Sequence, residues 1–72
     1  MAIVLAEVVA VSFTNVSTQE HNLVFLAPID VRTSEIVRPG EVERLELVTP
    51  GAGTYEFVCT IHEEMTGSLV LR

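Results

Sequence analysis

Apolar and polar positions alternate along most of this chain with a period of two, and no useful window shows the 3.6-residue period of a helix. In residues 3–14 one phase reads Ile3, Leu5, Val9, Val11 and Phe13, and the other is mostly small residues. The run is β-branched enough to favour a strand. Residues 15–20, "NVSTQE", are turn formers. The next stretch, "HNLVFL", predicts a second strand with His21, Leu23 and Phe25 on one face, ended by Pro28. Residues 29–37 are ambiguous, either a short edge strand or an irregular connection. "RPGE" (38–41) is a turn, and "VERLELVT" after it points Leu45 and Leu47 inward. "PGAG" (50–53) is a second turn. "TYEFVC" then sets Tyr55, Phe57 and Cys59 on one face, and a last strand opened by Gly67 sets Leu69 and Leu71 on one face. Five or six short strands with Pro-Gly punctuation predict an all-β sandwich or small barrel, one domain over residues 1–72.

At 72 residues the core is small, and domains of this size often lean on a disulfide, a metal or a partner chain. A single cysteine, Cys59, excludes an internal disulfide and leaves the other two. The net charge of -6 argues against nucleic acid, which needs clustered Lys and Arg, and favours a cationic protein surface as partner. No apolar run approaches the roughly 20 residues of a membrane-spanning helix. The apolar opening is interrupted by Glu7 and has no basic residue before it, so no signal peptide is expected. Asn15-Val16-Ser17 fits a glycosylation acceptor, a pattern too common by chance to carry weight.

Chemistry concentrates in "CTIHEEM", residues 59–65, where Cys59, His62 and Met65 follow one another at spacings of three. Cys59 ends a strand on its inward phase, and His21 begins another strand, also on the inward phase. Taken singly, each has a duller reading: buried cysteine, hydrogen-bonded histidine, core methionine. Taken together they offer two imidazoles, one thiolate and one thioether. A His2Cys plane with a weak axial Met is the ligand set of a blue-copper electron-transfer site. Nucleophilic catalysis by Cys59 and His62 lacks a visible orienting third residue, and two histidines cannot build a second copper centre, so no enzyme is expected.

With these residues in hand, the chain resembles the cupredoxins, the type 1 blue copper proteins, over nearly its whole length. "FTNVSTQEHNLVF" is similar to the segment carrying the family's first His ligand, and "PGAGTYEFVCTIHEEMTGSLVL" to its closing unit. The spacing C-x2-H-x2-M resembles the shortest, amicyanin-like ligand loop, although Ile61 stands where that loop has Pro. The resemblance implies a small Greek-key β-sandwich binding one Cu(I)/Cu(II) ion at His21, Cys59, His62 and Met65. It implies that Asn22 ties the two ligand segments together near Thr60, and that His62 brings its ring edge to the surface while His21 lies deeper.

A one-electron carrier between redox proteins is therefore expected, docking through Ile61, His62, Glu63 and Glu64 on a cationic partner. An extracytoplasmic, periplasmic or cell-surface location goes with that family. The alternatives are a Cu(I) chaperone or storage module with the same ligands, or a fragment or minimal form of such a domain. Measured against the family, the chain matches from the second strand onward, which would leave an unpaired strand edge. A homodimer or larger assembly through residues 3–13 is the expected remedy.

Overall fold

The computed structural model describes residues 7–62 and 64–72; Ile3, Leu5 and Glu63 of the expectations above lie outside them. Six strands follow in chain order: β1 (Glu7–Thr14), β2 (Val24–Phe25), β3 (Val31–Arg32), β4 (Val42–Thr49), β5 (Gly53–Val58) and β6 (Thr66–Leu71). They form two sheets, β1-β4 and β3-β2-β5-β6, so the fold is the expected all-β sandwich. Among the described residues no helix is long and apolar enough to cross a membrane.

The sequence alternation sets the register. β1 and β4 run antiparallel with Val9 opposite Leu47 and Val11 opposite Leu45, which puts both inward phases on the same face. These side chains meet Phe25 and Tyr55 of the other sheet, and Leu23 and Ile29 from the segments flanking β2, in one apolar cluster, with Leu47 wholly buried. Phe25 and Phe57, facing each other across β2 and β5, pack edge to face with ring centroids 5.4 Å apart. The turn before β4 closes as predicted: the Glu41 N–H donates to the Arg38 carbonyl, and Gly40 takes the positive φ of 84° that a side chain would resist.

The second strand is much shorter than the alternation suggests. Only Val24 and Phe25 are in the ladder, whereas His21 forms an isolated antiparallel bridge with Val37. Local side chains take over the backbone groups in between. The Leu23 N–H donates to the Thr33 hydroxyl, and the Asn22 side-chain amide donates to the Glu35 carbonyl. The ambiguous stretch 29–37 is thus both things at once, a two-residue edge strand followed by an irregular segment held by polar side chains.

Asn15 is buried and anchors the turn leading to His21. Its amide nitrogen donates to the carbonyls of Gln19 and Val37, while its oxygen accepts from the Ser17 N–H and hydroxyl. That amide is committed to the fold, so the Asn15-Val16-Ser17 pattern is structural.

Gly67 has a steric role. It faces Phe57 across β5 and β6, and a Cβ there would lie 2.5 Å from the Phe57 ring. Gly67→Ala should force that ring off its contact with Phe25 and destabilise the fold by about 1–3 kcal/mol, the usual cost of overpacking. Urea denaturation checks this, and an unchanged midpoint would show that the ring is free to move.

Candidate metal centre

His21 and Cys59 come from opposite halves of the chain and are brought to one end of the sandwich. His21 is fixed by reciprocal backbone hydrogen bonds with Val37, of 3.1 and 2.7 Å. Cys59 follows β5 directly, and its N–H donates to the Met65 carbonyl, closing the loop on itself. The Met65 N–H donates in turn to the His62 carbonyl. Both His21 and Cys59 are buried, and their Nδ1 and Sγ atoms lie 3.8 Å apart. One metal ion can span that gap, since metal–nitrogen and metal–sulfur bonds are about 2.0 and 2.3 Å.

Asn22 and Thr60, one residue beyond each of these donors, lock the pair. The Asn22 side-chain amide donates to the Thr60 hydroxyl at 2.7 Å, and the Thr60 N–H donates to the Asn22 side-chain oxygen Oδ1 at 2.9 Å. The same Asn22 amide reaches the Glu35 carbonyl at 3.0 Å, so one side chain joins three segments.

His62 stands beside this pair. Its ring centroid is 4.6 Å from that of His21, and its Nε2 lies 3.1 Å from the Glu20 carbonyl. A carbonyl only accepts, so Nε2 donates a proton to it. Half-buried, His62 is less open than an unheld loop ring would be, because Glu20 holds its outer edge. Met65 lines the same end but remains 44% exposed. Ile61 and Glu64 are exposed beside it. Among the described residues no three His, Cys, Asp or Glu side chains converge as a complete metal-binding group. The convergent pair is His21 and Cys59, with the second imidazole and the thioether at its margin.

Burial pushes the Cys59 thiol up, but the backbone N–H groups of Asn22, Ile61 and His62 and the charge of His62 outweigh it and hold the thiol below its ordinary value. The thiolate, which is the form that ligates metal, is thereby favoured. Sequence reasoning missed the Glu20 carbonyl and the Thr33 hydroxyl. Backbone acceptors leave no sequence signal, and a lone Thr in an irregular stretch leaves a weak one.

A cavity of about 280 Å³ opens against these residues, walled by Phe13, Leu23, Phe57 and Thr66 as well as by His21, Cys59 and Met65. The family model described as a cupredoxin-like domain matches residues 2–71. The chain belongs to this family. No curated protein and no solved structure matches it. Membership implies copper as the metal, and the donors of this cupredoxin domain fit it: a favoured thiolate and a thioether suit Cu(I), and imidazole serves either oxidation state.

Proposed function

We propose that this cupredoxin domain holds one copper ion at His21, Cys59, His62 and Met65 and passes single electrons between partner proteins, acting as a carrier and not as an enzyme. The observation that supports this most directly is the 3.8 Å approach of His21 Nδ1 to Cys59 Sγ, locked by the Asn22–Thr60 pair. Copper bound there would supply a one-electron couple between Cu(I) and Cu(II). The chain's part is to hold the donors still. Asn22 fixes the spacing of the two ligand segments, and three backbone N–H groups steady the sulfur charge, so little needs to move when the charge of the site changes.

Exchange with a partner would pass through the His62 edge. Ile36, Ile61 and Met65 are exposed apolar residues of the irregular segment and the ligand loop, which lets a partner come close without dehydrating charge. With a net charge of -6 and exposed Glu20, Glu35 and Glu64, a cationic docking surface is favoured, and association should weaken as salt rises. Addition of Cu(II) to the apo-protein tests the reading. An intense visible band from thiolate to copper is expected, and its absence would overturn the proposal.

The exposure of Met65 favours a second reading, in which the domain hands Cu(I) to another protein. The two readings part on Met65→Gln. In a carrier, the oxygen donor favours Cu(II), so the colour stays and the potential falls. In a Cu(I) transfer module no stable Cu(II) form appears, and the substitution slows transfer to a Cu(I) chelator. Potentiometry with visible detection separates them.

A further inference from the structure

The two sheets meet along one side of the sandwich and stand open along the other. β3 packs against β4 and closes one seam, whereas among the described residues the backbones of β1 and β6, the strands at the opposite side, do not approach each other. Burial follows the same division. On the inward phase, Leu45, Leu47 and Thr49 of β4 are buried, as are Phe25 and Tyr55 in the middle of the second sheet. Val9, Val11 and Phe13 of β1, and Leu69 and Leu71 of β6, occupy equivalent inward positions and are only half-buried. Among the described residues the apolar cluster is therefore less covered along one flank. Phe13 at the end of β1, with Phe57 and Thr66 of β5 and β6, also walls the cavity at His21, Cys59 and Met65, so the ligand end opens on that flank.

Among the described residues β4 is the one strand paired with β1, and no described strand lies on the other edge of β1. Free edges are usually protected by charge, Pro or a bulge. β1 carries no charge, Pro or Gly from Val8 to Thr14, whereas β4 carries Glu43, Arg44 and Glu46. β6 is uncharged as well, but it is shorter and contains Gly67. For a chain of net charge -6, β1 is the edge on which an identical, like-charged molecule can pair without bringing carboxylates together.

We propose that a second copy of this chain covers the open flank by antiparallel pairing of β1 with its own counterpart, about a twofold axis at Val11. Residues opposite each other must share a face, so the axis falls on a residue. At Val11 it sets Val9 against Phe13 of the partner subunit and Ala10 against Ser12 of the partner subunit, and it keeps Glu7 outside the paired stretch. An axis at Ala10 would instead draw Glu7 into the paired stretch, opposite Phe13 of the partner subunit. The product is a continuous sheet in the order β4-β1-β1-β4, with the half-buried valines and Phe13 enclosed on its inner face. The pairing is independent of the copper reading and also covers the side from which Cys59 is reached.

Sedimentation equilibrium of the apo-protein at micromolar concentration should give a dimer. Ala10 and Ser12 are exposed and point away from the core, so charges there test the pairing and spare the packing. The double variant Ala10→Lys/Ser12→Lys and the double variant Ala10→Glu/Ser12→Glu should each be monomeric, with unchanged far-UV circular dichroism. An equimolar mixture should regain the dimer, because Lys then faces Glu across the axis. Cys59 should react severalfold faster with an aromatic disulfide in either monomeric variant than in the dimer. A monomeric wild type overturns the proposal. So does a dimer that persists in both double variants, which would place the contact elsewhere on the chain.

Discussion

Cys59→Ser should fold, take up Cu(II) weakly and show none of the intense visible absorption expected of the parent. Serine nearly matches cysteine in shape at this buried position, so the packing at the end of β5 should survive. What changes is the donor. The hydroxyl is hard and stays protonated, and the backbone N–H groups of Asn22, Ile61 and His62 that favour a thiolate have no comparable anion to hold. With the thiolate gone, the whole thiolate-to-copper band is lost, the largest spectroscopic effect any single substitution here should produce. A titration with Cu(II) followed by visible absorption decides it, and a variant that remained blue would remove Cys59 from the ligand set.

The largest effect away from the donors should come from Asn22→Ala. The substitution deletes three hydrogen bonds at once, two to Thr60 and one to the Glu35 carbonyl. At about 0.5–1.5 kcal/mol each the loss is roughly 1.5–4.5 kcal/mol, and more if the Thr60 N–H is left unpaired. A domain of this length has only about 4–11 kcal/mol to lose. The variant should therefore unfold at a much lower urea concentration. It should also bind Cu(II) with a weakened, broadened visible band, since the Asn22 side chain ties the residue after His21 to the residue after Cys59. Asn22→Asp keeps the acceptor for the Thr60 N–H but loses both donations, and its stability should fall between those of the parent and the alanine variant. A parent-like midpoint for Asn22→Ala would show that the loop is held by its own closing bonds, from Cys59 to Met65 and from Met65 to His62.

The division between what was legible in the sequence and what was not follows from the range of each interaction. Val42–Thr49 and Gly53–Val58 could be read directly, because alternation over six or eight residues specifies a strand, its inward face and, once a partner is given, its register. "HNLVFL" alternates just as well yet contributes only two residues to a ladder. Its remaining backbone groups are taken by Thr33 and Val37, ten or more residues away, and that competition cannot be read from the stretch itself. The candidate donors could be picked out because Cys59, His62 and Met65 are close in sequence, and because His21 and Asn22 stand together at the start of the alternating stretch.

The sequence alone determined the chemistry available: which soft side chains exist, how they are spaced, and that a chain with one cysteine cannot form an internal disulfide. Only the tertiary structure decided their arrangement. It brought His21 within 3.8 Å of Cys59, set the Glu20 carbonyl on Nε2 of His62, and left Met65 half in solvent. It also closed the β3–β4 side of the sandwich and left β1 and β6 apart. The physical reason is that donor identity and strand phase are local properties of the chain. Distances between donors, and the side on which two sheets fail to meet, depend instead on how segments 38 or more residues apart pack together.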